Sequence, residues 1–328
     1  MKDSISTREL FVLDSSESKV RGTYHKACDD DRSEHPSTII SDRIGVVFLN
    51  STSPTRAANG DAAVYLAEAF ARCGYPSFRL DLPGFGDSDG NHPEDLVGLI
   101  CKGGFASGAA ANIKELASRF NLSGVIIVGH CAGSVSALYT AARCKECRGL
   151  VLIGPFFHLT QPLQPTKLRR QLKIWALHSR AGSALNRAFE AVNNLRLALR
   201  RGGLPKNANR PLLRCWKKLA ASGLPVLILK APDRKSPTMK PAATEFNYLQ
   251  YLLRVAGRDS KVDVQLTEGA NNAFSNFKGR AAVRLYTEQW LTASFPLIQR
   301  QRNIVSPASS ERDKPIGPNT LHESYLHE

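Results

Sequence analysis

The chain has 328 residues, of which 42% are hydrophobic and 22% charged, a balance that supports either one large α/β domain or two smaller ones. No stretch approaches the roughly 20 apolar residues of a membrane helix. Met1-Lys2-Asp3-Ser4 leads into a polar segment without the apolar core of a secretory signal, so a cytoplasmic protein is expected. The net charge of +15 is concentrated: 14 Lys or Arg stand against one acid, Glu190, between His158 and Ala220, leaving +2 for all the rest.

In chain order, two short strands are predicted over Glu9–Asp14 and Lys19–Lys26, followed by a polar run, Asp29–Ser41. Further apolar runs predict strands at Ile44–Asn50, Ser77–Leu82, Gly124–Gly129, Gly149–Pro155, Pro225–Ala231 and Val262–Thr267. They are short and rich in Val, Ile and Leu, as strands covered on both faces should be. Helical periodicity alternates with them at Asp61–Arg72, Asn112–Phe120, Ala132–Arg143, Thr244–Val255 and Arg280–Ala293. That alternation implies an α/β fold, a mostly parallel sheet doubly wound by helices. Residues 158–220 interrupt it with a basic, helix-prone insertion, and residues 299–328 read as a disordered tail. Residues 1–157 and 221–298 then form the core.

The seven cysteines form an odd set without a regular framework, which suits a reducing compartment. Cys144 and Cys147 make a lone CxxC, and no second pair completes a four-ligand zinc site. Neither a metal site nor a cofactor site is read from the sequence.

The most informative stretch is Val125-Ile126-Ile127-Val128-Gly129-His130-Cys131-Ala132-Gly133-Ser134: an apolar strand, a Gly-x-Cys-x-Gly turn, and a helix at once. Arg79-Leu80-Asp81-Leu82-Pro83-Gly84-Phe85-Gly86-Asp87-Ser88 carries D-x-x-G-x-G-x-S after a strand, and Leu227–Asp233 ends another strand on an acid. Together these resemble the α/β-hydrolase superfamily, with order and spacing agreeing across residues 10–295. The Gly-x-Cys-x-Gly turn corresponds to its nucleophile elbow, with cysteine in place of the commoner serine.

By that resemblance Cys131 is the nucleophile and Asp233 the acid of a triad. The Ala132 N–H is one oxyanion donor, and Ser51 or Thr52 supplies the other where many members read His-Gly. The departure from the family lies in Glu268-Gly269-Ala270-Asn271-Asn272-Ala273-Phe274. Members often read Gly-x-Asp-His-x-Phe there, which puts Asn272 in the histidine position. An amide does not titrate, so Asn272 cannot relay a proton. Among the eight histidines, His158 is the best substitute, because it leaves the strand after the elbow toward the active-site edge. His130 lies in the elbow itself, with its ring expected to point away from the sulfur. Cysteine also needs less activation than serine, being a few per cent thiolate at pH 7 without help.

Residues 158–220 fall where many family members insert a helical cap. Its cations suit an anionic or acyl substrate, with a coenzyme A or carrier-protein thioester among the fits. No recognised nucleic-acid module is present. The implied activity is acyl hydrolysis, thioester hydrolysis or acyl transfer. The alternative is a catalytically inactive hydrolase-like binding protein for an anionic or acyl ligand. The dienelactone hydrolases also use an elbow cysteine but keep the histidine. The Asn50–Asp61 loop with its following helix is similar to hydrolases encoded with exosortase and exopolysaccharide systems.

Overall fold

Eight strands pair into one sheet in the order β1-β2-β4-β3-β5-β6-β7-β8. They are β1 (Arg8–Leu13), β2 (Val20–His25), β3 (Ile44–Leu49), β4 (Ser77–Leu80), β5 (Gly124–His130), β6 (Cys147–Ile153), β7 (Val226–Lys230) and β8 (Val262–Leu266). β2 runs antiparallel to both β1 and β4, and every other pairing is parallel. The structure is a computed structural model. It describes residues 7–14, 18–28, 43–49, 52–53, 55–159, 204–205, 207–231, 246–268, 270, 274 and 276–297. The chain divides into two units, Met1–Leu297 and Ile298–Glu328, and the second lies outside the described residues.

Every strand read from the sequence is present, with ends moved by at most two residues. The reason is visible in β5: Val125 and Ile127 enter one apolar cluster, while Ile126 and Val128 enter another on the opposite face. A strand buried on both faces needs an unbroken apolar run, and that is what the sequence displays.

Helices α1 (Ala62–Arg72) and α7 (Phe277–Ser294) cover one face. The other face carries α2 (Leu96–Lys102), α3 (Ala106–Arg119), α4 (Ala132–Ala141), α5 (Arg210–Ala221) and α6 (Tyr248–Ala256). All ten residues of α4 are buried, as expected of a helix enclosed by β5, β6 and the helices outside it.

α6 begins four residues later than read and α7 three residues earlier, and three helices differ more from expectation. α3 starts six residues earlier than its apolar period, because Ala106, Ala109 and the other small residues of its first turns permit close packing on α4. α2 was not anticipated. It is short and defined by its ends: the Asp95 carboxylate accepts from the Gly98 N–H at 2.9 Å, and Gly103 closes it at φ 74°.

The third, α5, falls within the segment read as a cap, yet its apolar side packs into the main core. Asn209 caps it, accepting from the Leu212 N–H at 3.2 Å. Leu212, Leu213, Trp216 and Leu219 are buried, while Arg210, Arg214, Lys217 and Lys218 face solvent. The cations follow the helical period of an outer face. Residues 160–203, which hold the remainder of the expected cap, lie outside the described residues.

Trp216 is fully buried, and its indole N–H donates to the Leu252 carbonyl at 3.1 Å, joining α5 to α6. Trp216→Ala is expected to lower unfolding free energy by about 3–5 kcal/mol, read from urea denaturation. A loss under about 1 kcal/mol would mean that α5 is not part of the core.

Candidate active site

Parallel strands leave their carboxyl ends on one edge of the sheet, so the loops after β3, β5, β6, β7 and β8 gather there. Cys131 stands at the tip of the turn from β5 to α4 and is exposed. Its backbone has φ 53° and ψ −116°, a region that residues with a Cβ rarely occupy and that costs roughly 1–3 kcal/mol.

Several contacts hold it there. The Cys131 N–H donates to the Ile153 carbonyl at 2.8 Å, tying the turn to β6. The Ser134 hydroxyl donates back to the Gly129 carbonyl at 2.7 Å. A Cβ at Gly129 would overlap the carbonyl oxygen of Gly133, so only glycine lets the strand and the helix approach this closely. Ala132, buried, is the first residue of α4, and its N–H has no carbonyl partner within the helix.

The other sequence-derived site residues fall as follows. Thr52 is exposed in the loop after β3. His158 is half-buried in the loop after β6, bridged through its backbone to Ala208. Its ring centroid is 5.6 Å from that of Phe156 and 6.3 Å from that of Tyr248. Ser51, Asp233, Asn271 and Asn272 lie outside the described residues. His130 turns its ring onto Phe274, centroids 5.9 Å apart, on the α1 and α7 side of the sheet.

A cleft of about 590 Å³, counting the space it shares with solvent, opens beside the elbow. Phe48, Leu66, Val128, Phe274 and Val283 make its walls apolar, with His130, Arg56 and Arg280 supplying polar groups. The loops after β3 and β8 therefore meet at one cavity with the end of β5, where His130 lines it next to the turn that carries Cys131.

The D-x-x-G-x-G-x-S loop has a structural task beside it. The Ser88 hydroxyl donates to the Asp81 carbonyl at 2.6 Å and accepts from the Arg21 N–H at 2.8 Å. Gly86 sits at φ 50°, where a Cβ would overlap the Asp81 carboxylate. That fully buried carboxylate receives the Arg56 guanidinium, which also bonds Asp87 at 2.8 Å and the Thr23 hydroxyl at 2.9 Å. Burial alone would lower the Arg56 pKa, but the bonds to Asp87 and Asp81 more than offset it and raise it.

Below this pair, buried Arg79 donates through Nε to Nε2 of His25 at 2.9 Å and through Nη1 to the Arg56 carbonyl at 3.3 Å. Burial, with Arg56 and Arg8 nearby, brings the Arg79 guanidinium down to about 10. Burial, with Arg79 and Arg8, brings His25 down to about 3. His25 belongs by position to the N-terminal segment but is fully buried in the sheet. Arg56 is a site residue that sequence reasoning missed, and Phe274, read only as the last residue of the loop motif, lines the cleft. Arg56 precedes a helix like many surface arginines, and its acid partners lie 25 and 31 residues away.

Among the described residues, no group of three or more His, Cys, Asp or Glu side chains is arranged to hold a metal ion. No single helix among them is long and apolar enough to cross a membrane.

A sheet of this order with a strained strand–helix turn at its carboxyl edge defines a class, and sequence comparison agrees with it. A model of the alpha/beta hydrolase fold matches residues 54–246, more than half of the chain, which belongs to that family. Similar solved structures include an esterase of Pyrococcus furiosus, 12% identical over 88% of this chain and 92% of that one, TM-score 0.54. The α/β hydrolase GrgF of Penicillium sp. sh18 is 16% identical over 89% and 100%, TM-score 0.52. Est1E of Butyrivibrio proteoclasticus, solved with ferulic acid, is 11% identical over 86% and 99%, TM-score 0.51. At these identities the likeness is one of fold. Among curated proteins, none matches the chain in sequence.

Gly129→Ala should force the elbow open, destabilising the protein by about 1–3 kcal/mol and changing the rate at which iodoacetamide alkylates Cys131. Unchanged stability and unchanged alkylation would contradict the close approach.

A second expectation concerns acid. Because His25 titrates near 3 in the folded chain and near 6.5 when unfolded, only the unfolded state takes up its proton between those values. Stability is therefore full above pH 6.5 and falls as the pH drops toward 3. His25→Gln removes this contribution, so the loss between pH 7 and pH 5 should shrink by about 2 kcal/mol. Equal pH slopes for the two proteins would contradict it.

Proposed function

We propose that this chain is an acyl-transfer enzyme, hydrolysing esters or thioesters or passing the acyl group to an acceptor, with Cys131 as the nucleophile. The observation that carries the reading is the exposed thiol on a strained β5–α4 turn, at the sheet edge where the loops after β3 and β8 also line a cleft. Strain of this kind persists only where surrounding structure enforces it, and it concentrates at sites of chemistry.

In this reading the Cys131 sulfur attacks the acyl carbonyl. The Ala132 N–H and a second N–H from Ser51 or Thr52 take the charge of the tetrahedral intermediate. Collapse expels an alcohol or thiol and leaves the acyl group on Cys131 as a thioester, which water or an acceptor then resolves. Apolar cleft walls suit the acyl chain. The cations of residues 158–220 suit an anionic leaving group such as a coenzyme A or carrier-protein thiol. His158 is the proposed base, and Asp233 the acid that orients the loop. Asn272 occupies the place of the family's histidine and supplies no proton transfer.

The Asn271-Asn272 pair favours a second reading, a binding protein for an acyl or anionic ligand that has lost turnover.

Turnover of short-chain thioesters and aryl esters separates the two readings. Cys131→Ala is expected to abolish it, and His158→Ala to lower kcat by about 10²-fold. Asn272→His should raise it. Turnover that survives Cys131→Ala would exclude the thiol as nucleophile, and no turnover in the native chain would favour the binding protein. Fast native turnover with a silent His158→Ala would remove His158 as base.

A further inference from the structure

The loop between β3 and α1 is held at two places, and neither tie belongs to the triad. Near its middle, Arg56 reaches the Asp81 carboxylate, Asp87 and the Thr23 hydroxyl through its guanidinium. The carbonyl of the same residue accepts from buried Arg79 at 3.3 Å. Toward α1, the Gly60 carbonyl accepts from Arg280, in the first turn of α7, at 2.6 Å.

Between and just beyond these ties the backbone is not relaxed. Ala58 has φ 62° and ψ 176°, and Asp61 has φ 56°. An alanine in the first of these conformations is strained and persists only if neighbouring contacts over-determine it. Arg56 supplies four such contacts from three elements: β2, β4 and the loop after β4. Thr52 lies four residues before it, in the stretch from which the second oxyanion donor is drawn.

We propose that Arg56 is a positioning residue, its guanidinium clamping the loop after β3 to the Asp81–Asp87 loop so that an oxyanion donor near Thr52 is held toward Cys131. This rests on the reading of Cys131 as an acyl acceptor. An oxyanion donor acts only if it is fixed before the charge develops, since a loop that must reorganise gives back the stabilisation. Arg56 touches no reacting atom. Its effect is on acyl chemistry, which passes through an oxyanion, and not on the thiol itself.

Two reactions of the same sulfur separate these effects. Iodoacetamide alkylates Cys131 by displacement at a saturated carbon and forms no oxyanion, whereas p-nitrophenyl acetate must pass through one. Both rates are measured on the full-length protein for wild type, Arg56→Met, Arg56→Lys and Asp87→Asn, with melting temperature recorded for each. The expected result is acylation at least about tenfold slower in Arg56→Met, as a fall in kcat with little change in KM, while alkylation stays within about twofold. Arg56→Lys should recover part of the loss, since it keeps the charge without the fork.

Asp87→Asn, an exposed partner whose loss leaves Asp81 in place, should show a smaller deficit of the same kind. Together with Arg56→Lys it decides the matter if Arg56→Met does not fold. Acylation and alkylation falling together would make Arg56 a general stabilising residue, and unchanged acylation would remove the clamp; either outcome overturns the proposal. A wild-type protein that is alkylated but never acylated instead removes the acyl-acceptor reading beneath it, and the clamp's role with it.

Discussion

The turn from β5 into α4 holds a cysteine in backbone territory that side chains avoid, and the rest of the site is arranged around keeping it there. A strand cannot reverse into a helix within one residue unless its neighbours approach almost to contact. The missing side chain at Gly129 supplies that clearance. The bond from the Cys131 N–H to Ile153 and the Ser134 hydroxyl on the Gly129 carbonyl supply the restraint. The consequence is a small polar group presented to solvent at the amino end of a wholly buried helix. The two apolar layers on either side of the sheet supply the stability against which this local strain is held.

Sheet order then decides what stands near that group. Because β3, β5, β6, β7 and β8 run parallel, their following loops share one edge although 212 residues separate β3 from β8 along the chain. The loop after β3 is fastened by charge rather than by apolar packing. A buried carboxylate at Asp81 is tolerable because the Arg56 guanidinium and the Asp87 N–H meet it. Buried Arg79 is likewise tolerable because it donates to a neutral His25 and to a backbone carbonyl. Arg56 joins this polar network to the cleft, in whose wall it stands.

Much of this was legible in the sequence, for reasons that differ by element. The central strands β3, β5, β6 and β7 were readable because burial on both faces demands continuous apolar runs. The elbow was readable because its tight turn leaves a glycine signature around one cysteine. α2 escaped notice because caps at Asp95 and Gly103 define it and no apolar period does. The early part of α3 escaped because small residues carry little hydrophobic pattern. α5 was grouped with the cap because its charged outer face dominates its composition, while the buried indole of Trp216 assigns it to the core. Arg56 gave no signal at all, since its importance comes from partners brought near only by folding. Residues 160–203, Asp233 and Asn272 remain sequence expectations.

The central claim is that the thiol on the strained turn accepts an acyl group. Intact-mass and peptide analysis of protein quenched during reaction with an activated acetyl ester tests it most directly. The account predicts a single acetyl adduct on the peptide containing Cys131, removed by hydroxylamine at neutral pH as a thioester would be. An acetyl group confined to lysines or to another cysteine, with Cys131 unmodified, would contradict it.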